Sequence, residues 1–177
     1  PVFNEGGALS DTLKHLFEVI EKLSHLSFEV IVVNDSSTDD TNSILAGFKK
    51  ITVLNNPYNL GYGASLKRGI REASGRWIFI VDADGTYPLD SLPQLTSHMN
   101  EYDMIVGART TSTNEDQRSR KPAKAFLNWL ASYLAGMKIP DLNSGMRLFK
   151  KDLCLEFWPF YPQRFSFTST ITMAFVK

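Results

Sequence analysis

Short apolar runs alternate with segments of helical periodicity along this chain. Apolar runs rich in β-branched or aromatic side chains are typical of strands buried on both faces of a sheet. Such runs occupy residues 30–33, 51–54, 77–81 and 104–106. Apolar side chains at helical spacing predict helices over residues 9–23, 44–48, 63–73 and 91–99. The pattern therefore predicts helices that connect successive strands.

This order of elements determines the fold class. A helix between two buried strands forms a right-handed crossover, which makes the strands parallel and covers both faces of the sheet. No repeat, low-complexity tract or linker interrupts the pattern. We therefore expect a single α/β domain over residues 1–177, with a mainly parallel sheet flanked by helices.

The composition of the chain limits the classes of partner and of site that it can have. Of its 177 residues, 43% are hydrophobic, which is enough for one substantial core. Lys+Arg and Asp+Glu both number 19, so no excess of positive charge favours nucleic acid, and we expect no such partner. Cys154 is the single cysteine, which excludes an internal disulfide and a multi-cysteine metal site.

The apolar runs and the first residues of the chain indicate where in the cell the protein is located. No apolar stretch approaches the roughly 20 residues that cross a bilayer, and the first residues show no signal-peptide pattern. These features predict a cytoplasmic protein, or the cytoplasmic part of a larger one. Because the chain starts at Pro1 and ends within the sequence FTSTITMAFVK, we expect it to be truncated at both ends.

The apolar run 77–81 ends abruptly in two carboxylates, Asp82 and Asp84. Ligands of open α/β sheets bind in the crevice outside the carboxyl ends of the strands. Alternate residues of an extended chain point to the same side, so these carboxylates repel each other unless a cation such as Mg²⁺ or Mn²⁺ lies beside them. The alternative interpretation is a solvated loop with an Asx turn before Gly85.

The segment GYGASLKRG at residues 61–69 is the place to look for a nucleotide motif. A dinucleotide-binding fingerprint needs a third glycine where Leu66 stands, and no phosphate-binding P-loop sequence is present. Gly61 and Gly63 are better explained as a tight turn into the next helix. The N-terminal amides of that helix are then candidates for contact with a phosphate.

Five segments together resemble family 2 glycosyltransferases, which are nucleotide-sugar-dependent enzymes. They are PVFNE (1–5), VVNDSSTDDT (32–41), NLGYGASLKRG (59–69), VDADGTYP (81–88) and DLNSGMRLF (141–149). The resemblance implies the Rossmann-like GT-A fold. The last segment is most similar to the polyprenyl-phosphate branch, which includes dolichol-phosphate mannose synthases and undecaprenyl-phosphate sugar transferases.

The resemblance also implies residues that bind the nucleotide sugar. Pro1, Phe3 and Glu5 match the loop after the first strand of the family, which lines the nucleotide pocket, and the strand itself is expected to be missing from this chain. Asp35 matches the acid that contacts the base, where it would accept a ring N–H of uracil or guanine; the alternative is a helix N-cap. Lys67 either approaches the diphosphate or is an exposed helical lysine.

The two carboxylates match the DXD motif of the family. The resemblance implies that Asp82 and Asp84 hold Mg²⁺ or Mn²⁺, which bridges them to the diphosphate of the donor, and that Asp84 is catalytic. This branch often has glutamine where Thr86 stands. We therefore expect water to take the place of a third protein ligand.

The acceptor decides what the remaining residues do. Arg109, Arg120 and Lys124 match basic positions that hold an acceptor phosphate in the family, and their alternative role is scattered charge in a solvated loop. A sugar hydroxyl would instead need a general base, for which Asp141 is the best candidate. The apolar segment 126–134 either packs in the core or faces a membrane, and core packing is the commoner outcome.

Three functions are compatible with these residues. The first is a metal-dependent, inverting glycosyltransferase of glycan biosynthesis that moves a sugar from a UDP- or GDP-sugar to a polyprenyl phosphate. We expect it at the cytoplasmic face of a membrane that the full-length parent contacts. The second is the same enzyme acting on a saccharide hydroxyl, with Asp141 as base. The third is a catalytically silent module that binds a nucleotide sugar.

Overall fold

The computed structural model describes residues 1–109, 121–164 and 166–176, with the backbone alone for residues 121–124. Seven α-helices lie within these residues: α1 Gly6–Lys22, α2 Thr41–Ala46, α3 Tyr62–Glu72, α4 Leu92–Ser97, α5 Lys121–Ala135, α6 Lys151–Glu156 and α7 Phe167–Phe175. The described strands are β1 Ile31–Asn34, β2 Thr52–Asn55, β3 Trp77–Ile80, β4 Met104–Val106 and β5 Arg147–Lys150.

The strands form two sheets. β1 and β2 pair in parallel, and Val2 adds a single parallel bridge to Asn34. In the second sheet β5 lies between β3 and β4 and runs antiparallel to both. The strands β1 to β4 lie within one residue of the predicted runs, whereas β5 is not predicted by the apolar pattern. The α/β class expected from the sequence is confirmed.

Helix α1 packs against both sheets and holds them side by side. Its N-terminal half contributes Leu9 and Leu13 to a core with Val32 of β1. Its C-terminal half contributes Val19 to a core that includes Phe79 of β3. Between β1 and β3 lies a groove of about 660 Å³, lined mainly by apolar side chains of these elements. The two strands flank this groove without pairing with each other in the described part of the chain.

Helix α5 differs from the expectation of core packing. Only its inner side is buried, where Ala131 packs with Ile139 and Leu142. Phe126, Leu127 and Leu134 are exposed. The commoner interpretation of segment 126–134 is therefore wrong for these three side chains. Within the described residues, no helix combines the length and the apolar character needed to cross a bilayer.

The N-terminus of α3 is covered by another part of the chain. The amides of Gly63 and Ala64 donate to the carbonyls of Arg164 and Gln163, at 3.1 and 2.6 Å. A side chain at Gly63 would collide with the backbone of residues 162–164, which explains the glycine. The expectation that these amides contact a phosphate is wrong, because both already have protein acceptors.

The start of α3 is fixed by Asp35, which directly follows β1. This residue is 4% exposed. Its Oδ1 accepts hydrogen bonds from Leu60 N at 2.8 Å and Asn56 Nδ2 at 2.7 Å, and its Oδ2 accepts one from Gly61 N at 2.8 Å. Gly61 has φ +96°, a conformation that favours glycine. Asp35 therefore holds the turn that precedes α3 rather than capping α2, whose N-cap residue is Asp40.

These hydrogen bonds predict a pH-dependent contribution to stability. Burial raises the pKa of Asp35, but the hydrogen bonds from Asn56, Leu60, Gly61 and Ser65 outweigh it, so the pKa lies below its ordinary value of 3.8. A lowered pKa in the folded state stabilises the protein above the unfolded-state pKa, and this stability is lost as the pH falls through the folded-state pKa. Asp35→Asn should lower the free energy of unfolding by about 2–3 kcal/mol near neutral pH. The reason is that the backbone amide of Leu60 or of Gly61 would then face the side-chain NH₂ group of the asparagine instead of a carboxylate oxygen.

Urea denaturation at a series of pH values measures this effect. The difference between wild type and Asp35→Asn should narrow as the pH falls below 3.8. Asp11→Asn provides a matched control, because the Asp11 side chain is 89% exposed, and it should change stability little at any pH. A difference that stays constant across the pH range would show that the charge of Asp35 is not what stabilises the turn.

Candidate functional site

The carboxyl ends of β1 and β3 bring the predicted acidic residues to one side of the sheets. The N-terminal segment lies beside them, because Val2 N donates to Val33 O and Asp35 N donates to Val2 O, both at 2.8 Å. Further along, Glu5 N donates to Thr41 Oγ1 at 3.2 Å. The segment of residues 1–5 therefore lines the crevice.

Several charges meet in this crevice. Burial raises the pKa of Glu5, and the negative charges of Asp84, Asp39 and Asp82 raise it further. Pro1 and Asp82 both line the groove between β1 and β3. The structure thus brings Pro1 and Glu5 together with the predicted aspartates. Phe3, in the middle of the segment 1–5, is 45% exposed.

Asp82 is the better buried of the two carboxylates after β3. Its Oδ1 accepts a hydrogen bond from the hydroxyl of Tyr62 at 2.9 Å. Burial raises the pKa of Tyr62, so this hydroxyl keeps its proton and acts as a donor. Burial also raises the pKa of Asp82, with a contribution from the charge of Asp84, although the hydrogen bond from Tyr62 opposes the shift. Tyr62 therefore fixes one oxygen of Asp82, and a cation beside this carboxylate favours its charged form.

Asp84 is exposed and sits in a tight turn. Its Oδ1 accepts hydrogen bonds from Thr86 N at 3.0 Å and Thr86 Oγ1 at 2.7 Å, and Gly85 has φ +72°. The Asx turn that the sequence offered as the alternative is therefore present. It does not exclude a ligand role, because a carboxylate has about four acceptor positions.

The donor set at this edge suits a hard divalent cation. Among the described residues, no three His, Cys, Asp or Glu side chains are spaced to hold a metal ion by themselves. Asp82 and Asp84 instead offer two carboxylates, and burial together with the charge of Asp84 raises the pKa of Asp82. Mg²⁺ commonly takes one or two carboxylates and completes its shell with phosphate oxygens and water. These two residues fit that pattern.

The segment 141–147 closes over the same crevice. A side chain at Gly145 would collide with the carboxylate of Asp82, so the close approach requires glycine. Gly145 N donates to the hydroxyl of Tyr87 at 2.6 Å. The fully buried Arg147 begins β5 and donates to carbonyls of the same segment, including Ser144 O at 3.1 Å. These contacts lock the segment against Asp82.

Arg109 and Asp141 form a two-pronged ion pair beside these residues. Arg109 Nε donates to Asp141 Oδ2 at 2.8 Å, and Nη2 donates to Oδ1 at 3.2 Å. The guanidinium also lies over the ring of Tyr87, 5.9 Å from its centroid. The hydrogen bond to Asp141 raises the pKa of Arg109, and the charge of Asp82 contributes. A fixed cation thus lies close to the acidic pair.

The structure does not place the other predicted residues, Lys67, Arg120 and Lys124, beside Asp82 and Arg109. Lys67 Nζ donates to Tyr161 O at 3.0 Å and lies 5.3 Å from the centroid of the Trp158 ring. Lys67 is half-buried, so the alternative of an exposed lysine is wrong, and its role as a diphosphate ligand stays a prediction. Arg120 and the side chain of Lys124 lie outside the described residues.

Four residues of the site were missed by the sequence reasoning. Tyr62 and Tyr87 lie in segments that were quoted for their glycines and carboxylates, and Gly145 and Arg147 lie in DLNSGMRLF. Each acts through a partner that is distant in the sequence. Only Gly145 carried a signal in its residue type, because a glycine can mark a close approach of the backbone to another group.

Comparisons with known proteins find relatives that match most of this chain. The chain is 28% identical to a dolichyl-phosphate beta-glucosyltransferase, ALG5C, of Trichomonas vaginalis, over 90% of this chain and 52% of the relative. It is 25% identical to an undecaprenyl-phosphate 4-deoxy-4-formamido-L-arabinose transferase of Salmonella choleraesuis, over 86% of this chain and 48% of that protein. The chain therefore spans about half the length of these relatives.

A solved structure shares the fold. Glucosyl-3-phosphoglycerate synthase from Mycobacterium tuberculosis, solved with Mn²⁺, UDP and glucosyl-3-phosphoglycerate, superposes with a TM-score of 0.65 at 20% identity. The match covers 86% of this chain and 55% of the synthase chain. The GT-A fold expected from the sequence is confirmed.

The family assignment rests on most of the chain. A family model described as glycosyl transferase family 2 matches residues 1–158. This match includes β1 to β5, both carboxylates after β3 and the Arg109–Asp141 pair. The chain belongs to glycosyl transferase family 2.

Proposed function

We propose that this chain is the catalytic part of a metal-dependent, inverting glycosyltransferase that moves a sugar from a nucleotide-sugar donor to a polyprenyl phosphate at the cytoplasmic face of a membrane. The observation that carries the proposal is the fixed Arg109 cation next to the carboxylates after β3. A crevice with both features can hold a donor diphosphate on one side and an acceptor phosphate on the other.

The donor side rests on Asp82 and Asp84. When bound there, Mg²⁺ or Mn²⁺ supplies positive charge that stabilises the leaving nucleoside diphosphate. Tyr62 keeps Asp82 oriented for this role, and Asp84 is held by its own turn. The matched synthase was solved in complex with both Mn²⁺ and UDP, which supports the same pairing of metal and diphosphate here. Pro1, Phe3, Glu5 and Asp35 are assigned to the nucleotide.

The acceptor side rests on Arg109. A guanidinium carries five N–H donors in a geometry that suits a phosphate. Asp141 fixes its orientation through Nε and Nη2, and we assign the Nη1 edge to the acceptor phosphate. The names of the relatives contain dolichyl phosphate and undecaprenyl phosphate, which favours a lipid phosphate as acceptor. We assign Arg120 and Lys124 to the same phosphate on the basis of the family resemblance.

The Arg109–Asp141 pair also argues against a saccharide acceptor. A sugar hydroxyl must lose a proton as it attacks, so Asp141 would have to act as general base. Asp141 already accepts hydrogen bonds from Arg109 and from Asn143 N, and it would have to weaken these to receive a proton. We therefore assign Asp141 to positioning of Arg109 rather than to proton transfer.

The transfer itself then needs no base. A phosphate monoester has a second pKa of about 6 and is largely dianionic near neutral pH, so its oxygen can attack the anomeric carbon directly. The bond from that carbon to the donor diphosphate breaks as the new bond forms, and the nucleoside diphosphate leaves with the electron pair. A single displacement inverts the anomeric configuration.

The donor half predicts metal-dependent stabilisation of the fold. A ligand that binds only the native state raises its stability by about 2.7 kcal/mol at a concentration of 100 times its Kd. UDP- or GDP-sugars should therefore raise the melting temperature with Mn²⁺ and much less without it. Asp84→Asn keeps the shape of the side chain but removes its charge. It should therefore abolish most of the Mn²⁺-dependent rise in melting temperature.

Asp11→Asn is the matched control, because it makes the same change at an exposed position of α1. It should leave the stabilisation intact. Equal Mn²⁺-dependent stabilisation of wild type and Asp84→Asn would remove Asp84 from the metal site.

The acceptor half predicts that Arg109 acts on acceptor use alone. Arg109→Gln should lower kcat/KM for a short polyprenyl phosphate by about 10- to 100-fold, which corresponds to the loss of one charged hydrogen-bonded contact. Stabilisation by the donor should stay unchanged. Radiolabelled sugar transfer measures the first quantity and thermal unfolding the second.

Arg76→Gln serves as control, since Arg76 is exposed and precedes β3 at the opposite end of the strand. It should transfer sugar like the wild type. Efficient transfer to a saccharide hydroxyl, with none to any polyprenyl phosphate, would overturn the lipid-acceptor assignment while leaving the family assignment in place.

A further inference from the structure

Tyr87 is a buried side chain that contacts both sides of the crevice. It follows Asp82 and Asp84 along the chain and is 8% exposed. It belongs to a core cluster with Met146 and Leu148. Side chains in a close-packed core have little freedom to move, so Tyr87 is a rigid part of the site.

The hydroxyl of Tyr87 holds the segment that lies against Asp82. It accepts a hydrogen bond from Gly145 N at 2.6 Å, and this hydrogen bond is buried. A Cβ at Gly145 would collide with the carboxylate of Asp82, so the backbone of Gly145 is in direct contact with that carboxylate. The hydroxyl therefore sets how closely Gly145 approaches Asp82.

The ring of Tyr87 faces Arg109. The guanidinium carbon of Arg109 lies 5.9 Å from the ring centroid, within the range of about 6 Å for a cation–π contact. Asp141 holds the same guanidinium through Nε and Nη2. The ring is thus a second contact, from a different part of the chain, that fixes where the guanidinium lies.

Core packing alone does not require a tyrosine at this position. Phenylalanine would fill the same space and present the same ring to Arg109, but it would leave the amide of Gly145 without its acceptor. An unsatisfied buried amide costs about 1–3 kcal/mol. Leucine would fill much of the same space, but it would present no ring to Arg109. The hydroxyl and the ring therefore have separate tasks, and each task serves one side of the crevice.

We propose that Tyr87 is a positioning residue that fixes the place of Arg109 relative to Asp82. Its hydroxyl acts on Asp82 through Gly145, and its ring acts on Arg109 directly. One rigid side chain thereby determines the separation between a fixed cation and a carboxylate after β3.

The consequence of this role for the reaction rests on the proposed function. Asp82 belongs to the donor side and Arg109 to the acceptor side, so Tyr87 holds the two bound phosphate groups at the separation that direct attack requires. Positioning of two bound reactants lowers the barrier of the reaction without adding a binding contact. Loss of the Tyr87 hydroxyl should therefore change kcat more than the KM for the acceptor.

NMR spectroscopy tests the two contacts without substrate or metal. The Gly145 amide of the wild type should exchange slowly with solvent, and Tyr87→Phe should speed this exchange by about 10-fold, because the amide loses its acceptor. The Nε–H signal of Arg109, identified by its loss in Arg109→Gln, should stay in place in Tyr87→Phe. It should shift and broaden in Tyr87→Leu, because the ring is lost. Amide exchange in α1 reports any general loss of stability.

Two further measurements test the consequence for the site. Tyr87→Phe should weaken the Mn²⁺-dependent stabilisation by UDP, measured as the rise in melting temperature over the same variant without ligand. In sugar transfer to a short polyprenyl phosphate, Tyr87→Phe should lower kcat by about 5- to 10-fold and change the acceptor KM by less than about 2-fold. Arg109→Gln should instead raise the acceptor KM.

Tyr102→Phe is the control, because it removes the hydroxyl of a tyrosine that is 58% exposed, and it should match the wild type in every measurement. Unchanged Gly145 exchange in Tyr87→Phe would overturn the proposal, and so would an unchanged Arg109 signal in Tyr87→Leu. Tyr87→Phe keeps the ring and its packing, so it tests the hydroxyl even if Tyr87→Leu does not fold. A wild-type chain without Mn²⁺-dependent stabilisation or sugar transfer would refute the proposed function, while the NMR measurements still decide whether Tyr87 holds both groups.

Discussion

The carboxylate of Asp35 fixes where α3 begins, and the geometry of the site depends on that position. It accepts hydrogen bonds from the amides of Leu60 and Gly61, directly before Tyr62, the first residue of α3. Tyr62 in turn donates to Asp82. A buried ion at the end of β1 thus orients a carboxylate at the end of β3, which belongs to the other sheet. A short series of hydrogen bonds therefore couples the two edges of the crevice.

A second buried charge supports the opposite wall. Arg147 is fully buried and donates to the carbonyl of Thr168 and the hydroxyl of Thr172. Burial lowers the pKa of Arg147 to about 10, so it remains protonated near neutral pH. The negative charges of Asp141 and Asp82 favour this charged state. A cation inside the fold therefore offsets part of the repulsion among the carboxylates of the crevice.

The sequence predicts the strands and helices well where an apolar run has one clear period, as at residues 77–81. It misses β5 because the short run Arg147–Lys150 begins and ends with a cation, which hides its strand character. It misses the contact of Tyr62 with Asp82 because only tertiary structure brings these residues together. It also favours the core for segment 126–134, since periodicity reports that a helix has an apolar face and not what covers that face. The acidic pair after β3 was found because its position at a strand end has a direct chemical meaning.

Anomalous diffraction from crystals grown with UDP and Mn²⁺ tests the role of Asp82 and Asp84 most directly. The Mn²⁺ peak should lie about 2–2.5 Å from a carboxylate oxygen of at least one of these residues. It should also contact the diphosphate, while the base lies near Asp35. Diphosphate density in the crevice without a Mn²⁺ peak at these carboxylates, or a peak held only by other residues, would contradict a metal-bridged donor site.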